Sequence, residues 1–298
     1  MELYLPFFSI IVPTLNRPEQ LQNICLPALA QLDYPRDRYE VIIVDDGSEK
    51  SPDGCMEKFL DDLNLIVVKQ SHSGPAVARN RGARRARGEI LAFTDDDCAP
   101  DTEWLKVLSS RFSVTPDCAI GGHTYNALSQ NPYSAVSQLL VDCVYDRFNT
   151  NPYQMRFFTS NNLAMPAYPF HFIGGFNEIF SLGGEDREFC NRWINCGFGL
   201  IYEPLAKVYH FHKMTFRSFL RQHFRYGVGA FRFRRIVAKR KGERMKIENP
   251  SFYLNLLRHT CSPAYGGEAL FRGILFGCSQ AANALGYIWG WLASRARS

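Results

Sequence analysis

Two clusters of aspartates, each placed directly after a short apolar run, constrain the fold of this 298-residue chain more than any other feature. Residues 41–44 precede the pair Asp45 and Asp46, and residues 90–93 precede the acidic run 95–97. The first run is too continuously apolar for a half-exposed strand, which favours a central strand of a sheet covered on both faces. Ligands of open α/β sheets bind beyond the carboxyl ends of the strands, so the two clusters are predicted to share one site.

The first hundred residues alternate such apolar runs with helix-compatible stretches, which is the pattern of βαβ units. The predicted strands are residues 9–12, 41–44, 65–68 and 90–93, and the predicted helices are residues 18–32, 76–86, 104–112 and 187–195. Pro27 should disturb or restart the first of these helices, because proline lacks the N–H that a helix interior needs. The sequence therefore predicts an α/β fold with a mainly parallel central sheet flanked by helices.

We expect two regions along the chain. Residues 1–215 should form a catalytic domain, with a nucleotide-binding half at 1–100 and an acceptor-binding half at 101–215. Residues 216–298 should form a helical C-terminal extension that is basic and partly apolar. Between Arg217 and Lys246 a single acidic residue, Glu243, stands among the following basic residues: Arg221, Arg225, Arg232, Arg234, Arg235, Lys239, Arg240, Lys241 and Arg244. This excess suits a phosphate-rich partner such as an anionic membrane surface, and a solvated helix face is the alternative. No nucleic acid is expected as a partner.

One long uncharged stretch, residues 273–293, ends in aromatic residues. It has the length to span a bilayer, but its glycine and polar content favours an interfacial helix, with a helix packed on the catalytic domain as the alternative. The N-terminus lacks a basic region before its first apolar run, and the nine cysteines contain no CxxC pair. These features favour a cytoplasmic protein with free thiols, peripheral on the inner face of the plasma membrane.

The acidic run 95–97 could bind a metal and a sugar nucleotide. Alternate residues leave a strand in the same direction, so Asp95 could contact a ribose hydroxyl while Asp97 binds a divalent cation. Mg²⁺ or Mn²⁺ would need only two or three protein ligands, because phosphate oxygens and water complete the shell. Acidic triplets also occur on solvated loops, so the triplet needs support from the rest of the sequence.

Five ordered motifs supply that support: residues 8–17 (FSIIVPTLNR), 41–48 (VIIVDDGS), 78–82 (ARNRG), 95–97 (DDD) and 184–186 (GED). Together they resemble the motifs of the family 2 glycosyltransferases, over about residues 7–230. The resemblance implies a GT-A fold, a nucleoside-diphosphate-sugar donor with UDP as the default nucleotide, a divalent metal, and inversion at the anomeric carbon.

Carried over position by position, the resemblance assigns donor contacts to one set of residues. Pro13 and Thr14 would lie against the base, and either Asp45 or Asp46 would hydrogen-bond it. The remaining donor-binding positions are Arg79, Asp95 at the ribose, and Asp96.

The resemblance also assigns the catalytic and metal positions. Asp186 would be the general base with Glu185 supporting it, although a helix-capping role is the alternative for Asp186. Asp97 would bind the metal, and His210 would be a further ligand or a structural histidine.

One C-terminal element resembles the QxxRW motif of processive members. Gln222 and Arg225 would then face the acceptor or the diphosphate, but Tyr226 stands where the motif has tryptophan. This departure favours transfer of a single sugar over polymerisation.

The predicted function is transfer of a sugar from a nucleotide-sugar donor to the hydroxyl of a glycan or lipid-linked acceptor, in glycan, polysaccharide or glycolipid synthesis. A nucleotidyltransferase is one alternative, but residues 13–17 lack the glycines of its phosphate-binding loop. A catalytically inactive sugar-nucleotide-binding protein is another, and against it every expected acidic position is filled.

Overall fold

The structure is a computed structural model that describes residues 5–149, 151, 155–245, 254, 256–258 and 269–295. The chain forms two compact units. Unit 1 comprises residues 1–127, 149–181 and 185–211, and unit 2 comprises residues 128–148, 182–184 and 212–298. The functional boundary predicted at residue 215 stays a prediction. Lys246 of the basic segment lies outside the described residues.

Unit 1 contains an eight-stranded sheet in the order β3-β2-β1-β4-β7-β6-β8-β5. Its strands are β1 (Phe8–Thr14), β2 (Tyr39–Asp45), β3 (Leu65–Lys69), β4 (Ile90–Phe93), β5 (Cys98–Pro100), β6 (Ala119–Asn126), β7 (Leu163–Pro166) and β8 (Leu200–His210). The first four strands are parallel neighbours, which confirms the predicted βαβ arrangement. The other half of the sheet is mixed: β7 runs antiparallel to β4 and β6, β5 runs antiparallel to β8, and β6 and β8 are parallel.

Helices of unit 1 occupy all four predicted segments, the first of which is interrupted, and two further short helices were not predicted. The helices are α1 (Pro18–Gln20), α2 (Leu26–Ala30), α3 (Asp53–Met56), α4 (Pro75–Arg85), α5 (Trp104–Val114), α7 (Ala167–Phe172) and α8 (Glu185–Asn195). A π-helical turn at Leu21–Cys25 separates α1 from α2, and Pro27 lies in the first turn of α2, where its missing N–H costs little. The predicted disturbance at Pro27 is confirmed.

The core of unit 1 forms around the continuously apolar strands. All seven residues of β2 are buried, and Ile10 and Val12 of β1 pack with Trp104 and Leu105 of α5 in one cluster. On α4, a Cβ added to Gly82 would lie 2.6 Å from Ile11 Cγ2, so the glycine lets the helix pack closely on β1. This packing fixes the positions of the strand ends that carry the aspartates.

The described residues of unit 2 include three long helices: α6 (Pro132–Phe148), α9 (Phe216–Lys241) and α10 (Ala269–Arg295). Thr215 and Ser218 form a capping box at the start of α9, and Gly242, at φ +65°, ends it in a left-handed conformation. The helical C-terminal extension is therefore confirmed. In the described part of the chain, no helix has both the length and the hydropathy needed to cross a bilayer.

The cysteines agree with the sequence prediction as far as they can be followed. The eight in the described part of the chain, which excludes Cys261, are all free thiols.

Candidate active site

The ends of β1 and β2 bring three of the predicted residues together. Thr14 pairs with Asp45 in the parallel register, and the Asp46 backbone N–H donates to the Thr14 carbonyl at 2.9 Å. All three side chains are buried, with exposures of 3–4%. Pro13, one residue earlier, pairs with Val44. The two strand-end motifs thus lie side by side at one edge of the sheet, as their positions in the sequence predicted.

The Asp46 carboxylate forms hydrogen bonds with four residues of the loop before α4. Its Oδ1 accepts hydrogen bonds from Gln70 Nε2 at 2.6 Å and from the Ser73 backbone N–H at 2.8 Å. Its Oδ2 accepts from the Gly74 backbone N–H at 2.9 Å and contacts His72 Nδ1 at the same distance. Four partners fill the acceptor sites of a carboxylate, so Asp46 holds the loop in place.

Asp45 is less occupied than its neighbour. The Ser48 backbone N–H donates to its Oδ1 at 2.9 Å, within the loop that follows β2. Gly47 of this loop has φ +85°, and an added Cβ would lie 2.6 Å from the His72 backbone nitrogen. Of the two aspartates for which the sequence left the base contact open, Asp45 therefore retains more capacity to accept a ligand hydrogen bond.

Two carboxylates of the acidic run after β4 form ion pairs with Arg17, a residue of the loop after β1. Its Nη1 donates to Asp97 Oδ2 at 2.8 Å and to Asp96 Oδ1 at 3.2 Å, and Thr14 Oγ1 donates to Asp96 Oδ2 at 2.8 Å. Burial lowers the pKa of Arg17, but the charges of Asp96 and Asp97 outweigh that effect and raise it. Burial is also the main cause that raises the pKa of Asp96 to about 7.

Asp97 and His210 form the candidate metal centre. His210 ends β8 opposite Cys98 of β5, and its Nε2 lies 3.2 Å from Asp97 Oδ1. Burial lowers the pKa of His210, whereas the hydrogen bond and charge of Asp97 raise it, and the net direction is upward. Adjacent ligands of an octahedral Mg²⁺ are about 3 Å apart, so this carboxylate and imidazole have suitable chemistry and spacing for a hard or borderline cation.

A third side chain stands near this pair but is poorly suited to the same cation. Asp97, Cys98 and His210 each offer one ligand atom within 4.8 Å of the others. Burial raises the pKa of Cys98 well above its ordinary value, so its thiol remains protonated. A neutral buried thiol is a poor ligand for Mg²⁺ or Mn²⁺, which leaves Asp97 and His210 as the fitting donors.

Arg79 joins the acidic run to the carboxylates at the start of α8. It lies on α4, and its guanidinium donates from Nη2 to Asp95 Oδ1 at 2.6 Å and from Nη1 to Glu185 Oε1 at 2.9 Å. The ring of Phe176 lies 5.9 Å from the guanidinium carbon. Burial lowers the pKa of Arg79, but the charges of Asp95 and Glu185 raise the pKa by more than burial lowers it. Arg79 therefore remains a cation that positions both carboxylates.

Asp186 and Glu185 open α8, two residues before the helix start that the sequence predicted. Loss of surrounding water and the neighbouring charge of Glu185 raise the pKa of Asp186 to about 7. The Arg187 backbone N–H donates to Asp186 Oδ1 at 2.7 Å. Glu185 Oε2 is buried and has no hydrogen-bond partner among the described residues. A carboxylate with a pKa near 7 can accept a proton at neutral pH and later release it.

Unit 1 therefore holds all but two of the predicted functional residues. Ion pairs of Arg17 and Arg79 join four of its carboxylates: Asp95, Asp96, Asp97 and Glu185. The two exceptions are Gln222 and Arg225 on α9 in unit 2. Gln222 Nε2 donates to Tyr226 Oη at 2.5 Å, and Arg225 is exposed. Their role toward an acceptor or diphosphate stays a prediction.

Sequence reasoning did not assign a role to Arg17, although Arg17 contacts both Asp96 and Asp97. Its contact with the acidic run could have been predicted, because Arg17 is the last residue of the first motif. A strand order that places β1 beside β4 brings together the loops that follow these two strands.

A parallel half-sheet with a cluster of polar side chains at its carboxyl edge is typical of the class of α/β domains that bind ligands, nucleotides among them, at that edge. Comparison with known proteins is more specific: the model of glycosyl transferase family 2 matches residues 9–182. The chain belongs to this family and is a glycosyltransferase.

Curated relatives support this assignment. The chain is 30% identical over 235 residues to the glycosyltransferase AglE of Haloferax volcanii, covering 76% of this chain and 73% of that protein. It is 29% identical over 233 residues to the pre-mycofactocin glycosyltransferase of Mycobacterium tuberculosis, covering 74% of this chain but 46% of that protein. The chain thus spans less than half the length of the second relative.

Solved structures confirm the GT-A fold. The mannosyltransferase PcManGT of Pyrobaculum calidifontis, in complex with GDP-Man and Mn²⁺, matches with a TM-score of 0.63 at 19% identity, over 99% of this chain and 81% of that one. TarS of Staphylococcus aureus, residues 1–349 in complex with UDP-GlcNAc, matches with a TM-score of 0.54 at 17% identity, over 98% of this chain and 92% of that one.

Proposed function

We propose that the chain transfers one sugar from a nucleoside-diphosphate sugar to an acceptor hydroxyl with inversion, using Asp186 as the general base. The observation that carries this proposal is the pKa of Asp186, raised to about 7, in a carboxylate pair that Arg79 ties to the acidic run after β4. A donor bound at the strand ends would thus meet a base held in the same ion-pair network.

The nucleotide-sugar donor would bind at the carboxyl ends of β1, β2 and β4. Asp45 would accept a hydrogen bond from the base, with Pro13 and Thr14 beside it, and Asp95 would contact the ribose. Asp46 and Asp96 would act by shaping the site, since their oxygens already accept bonds from the loop before α4 and from Thr14 and Arg17. UDP is the default nucleotide, and GDP is the alternative that one structural neighbour binds.

Asp97 and His210 would hold Mg²⁺ or Mn²⁺, and the complexes of structural neighbours with Mn²⁺ support this choice. When bound, the cation would stabilise the negative charge that develops on the departing diphosphate. His210 would have to lose its proton to coordinate, and Asp97 would have to exchange the Arg17 contact for the cation. Arg17, 45% exposed, could then turn toward the donor phosphates.

The proposed chemical step uses Asp186 as the proton acceptor. Its carboxylate would take the proton of the acceptor hydroxyl while the oxygen attacks the anomeric carbon. The bond from that carbon to the diphosphate oxygen breaks, and its electron pair leaves with the diphosphate. Attack from the face opposite the leaving group inverts the anomeric centre. The raised pKa of Asp186 makes its carboxylate a stronger base than an aspartate in water.

The acceptor would be a glycan or a lipid-linked glycan. We propose a cytoplasmic enzyme that is peripheral on the inner face of the plasma membrane, acting in glycan, polysaccharide or glycolipid synthesis.

Donor screening with a matched pair of variants tests the proposal. The parent chain should hydrolyse or transfer one nucleotide-sugar in Mn²⁺ and not in EDTA. Asp186→Asn should retain nucleotide affinity but lose transfer by about 10² to 10⁴, whereas Asp117→Asn, an exposed carboxylate before β6, should behave as the parent. Transfer by Asp186→Asn at the parent rate would eliminate Asp186 as the base.

A further inference from the structure

The outward face of α10 is apolar throughout the middle of the helix. Five large side chains on this face are between 52% and 76% exposed: Leu270, Ile274, Leu285, Ile288 and Leu292. Their spacings of three, four and eleven residues place them on one stripe of a helix with 3.6 residues per turn. Gly277 and Ala281 continue the stripe between them and are also exposed.

The opposite face of α10 is fixed against α9 by close backbone contact. A Cβ added to Gly286 would lie 1.9 Å from the Phe224 carbonyl oxygen, and one added to Gly227 would lie 1.9 Å from the Asn283 carbonyl oxygen. Ser279, with no exposed surface, continues this inward face. Because the glycines leave no space for rotation of α10, the apolar stripe must point away from α9.

Such a stripe is unusual for a helix that faces water. From residue 273 to residue 294 the chain carries no charged side chain, a length of about 33 Å as a helix. A water-facing helix normally shows charged and polar residues on its outer face, and a helix apolar on both faces is normally covered on both. An exposed apolar patch of this kind marks an interaction surface.

Cations and aromatic rings meet near the C-terminal end of α10. Arg295 lies over the Trp291 ring at 4.0 Å, and Arg234 of α9 lies over the Tyr287 ring at 5.6 Å. Trp289 and Trp291 are 47% and 38% exposed. Tryptophan, tyrosine and arginine together are typical of the headgroup level of a membrane.

We propose that the outward face of α10 lies in the surface of an anionic lipid bilayer, with basic residues of α9 contributing electrostatic attraction. On α9 the exposed basic side chains are Arg217, Arg221, Arg225, Arg235, Lys239, Arg240 and Lys241. Each such charge near an anionic surface strengthens binding about fivefold. This inference deepens the peripheral location proposed above and rests on that part of the proposed function, whereas it does not depend on the step of glycosyl transfer.

Charge also favours the bilayer over a second copy of the chain. In a symmetric dimer built on α10, the same patch of both subunits would meet, so the basic helices α9 would be brought toward each other. Like charges at an interface oppose association, whereas anionic headgroups complement them. The structure therefore favours lipid as the occupant, and a second copy becomes an outcome of the test.

The test is co-sedimentation of the full chain with phosphatidylglycerol vesicles and with phosphatidylcholine vesicles, at low and high salt. The parent should bind the anionic vesicles and release partly at high salt. Its four tryptophans allow a local readout, because Trp104 and Trp193 are fully buried in unit 1 whereas Trp289 and Trp291 are exposed on α10. Lipids brominated in their acyl chains should therefore quench the exposed pair.

A matched pair of double variants separates this face from general surface apolarity. Leu285→Glu with Ile288→Glu should weaken vesicle binding on the order of a hundredfold. Leu60→Glu with Leu205→Glu adds the same charge at side chains of similar exposure, 60% and 61%, in unit 1 and should bind as the parent. Thermal unfolding should show that both double variants fold. Metal-dependent nucleotide binding should be unchanged in both, which separates this proposal from the proposed catalysis.

Three results would overturn the membrane proposal. The parent chain could remain in the supernatant with phosphatidylglycerol vesicles at low salt. The two double variants could bind vesicles equally well. Light scattering could instead show a dimer without vesicles that Leu285→Glu with Ile288→Glu dissociates, which would assign the face to a second copy of the chain.

Discussion

Replacement of Asp186 by asparagine should stabilise the protein at pH 8 while it removes most of the transfer activity. The pKa of Asp186 rises from 3.8 to about 7 on folding, because burial and then the charge of Glu185 disfavour its ionised form. A pKa raised in the folded state contributes stability below the unfolded value, and this contribution is lost as the pH rises through the folded value. Above pH 7 the folded protein therefore carries the cost of an ionised, partly desolvated carboxylate.

The size of this cost follows from the shift. About three units at 1.36 kcal/mol each give about 4 kcal/mol at pH 8, and solvent contact of the partly exposed side chain reduces this to about 2 to 4 kcal/mol. Asparagine has nearly the same shape and no charge, so the variant should recover that free energy. Its advantage over the parent should grow as the pH rises from 5 to 8.

A helix-capping role predicts the opposite sign. Asp186 lies in the first turn of α8, where a negative charge favours the helix by about 0.3 to 1 kcal/mol. If capping were its only role, asparagine would destabilise the chain by that amount and leave transfer intact. The sign of the stability change thus separates the two roles that the sequence left open.

Urea unfolding at pH 5, 6, 7 and 8 supplies the stability curve, and initial rates of sugar transfer supply the activity. Asp117→Asn is the control for removal of one exposed carboxylate and should leave both nearly unchanged. Loss of stability in Asp186→Asn at pH 8, together with a parental transfer rate, would refute the reasoning.

Three further predictions concern the metal, the ion-pair network and the helix pair. Asp97→Asn should remove the Mn²⁺ dependence of nucleotide affinity in calorimetry, and equal affinity in EDTA and Mn²⁺ for the parent would contradict the metal centre. Arg79→Met should lower the free energy of unfolding by about 3 to 5 kcal/mol, because it leaves two carboxylates without their buried partner, and a near-neutral urea midpoint would argue against the network. Gly286→Ala should lower the free energy of unfolding by about 1 to 3 kcal/mol, because the new Cβ would overlap the Phe224 carbonyl. Gly277→Ala, which has open space around it, should raise the free energy of unfolding by about 0.5 to 1 kcal/mol. A change of the same sign in both variants would contradict the packing of α10 on α9.

Local patterns made the donor half of the fold predictable. Residues 41–44 and 90–93 are apolar without interruption, and this property of adjacent residues is enough to place buried parallel strands with aspartates at their ends. The disturbance of the first helix at Pro27 was also predictable from local sequence, because the effect of a proline on a helix depends on its own ring. The roles of these residues in binding and catalysis stay predictions.

Contacts between distant segments were less accessible to sequence reasoning. The antiparallel pairing of β5 with β8 brings His210 to Asp97, and nothing in the residues around either one indicates that pairing. The four hydrogen bonds to Asp46 also depend on the path of the loop at 70–74, which has no periodicity to interpret. The resemblance to the family motifs assigned Asp45, Asp46, Asp97 and His210 to one site. Only the fold shows that Asp46 already has four hydrogen-bond partners whereas Asp45 is less occupied.

The balance of charge connects the three roles proposed for this site: metal binding, donor binding and proton transfer. Four carboxylates (Asp95, Asp96, Asp97 and Glu185) share two arginine partners, Arg17 and Arg79, and Asp186 adds a fifth carboxylate next to Glu185. Negative charge is therefore in excess at this site. Removal from water and mutual repulsion raise the pKa of Asp96 and Asp186 to about 7, so that part of this charge is neutralised by protonation at neutral pH. A diphosphate brings further negative charge, and like charges in a partly buried site repel strongly. A divalent cation bound with the donor would offset that repulsion, and it would also draw Asp97 away from Arg17 toward the metal. Burial and then the neighbouring carboxylate raise the pKa of Asp186, and the same acidic surroundings would favour joint binding of metal and nucleotide over binding of the nucleotide alone.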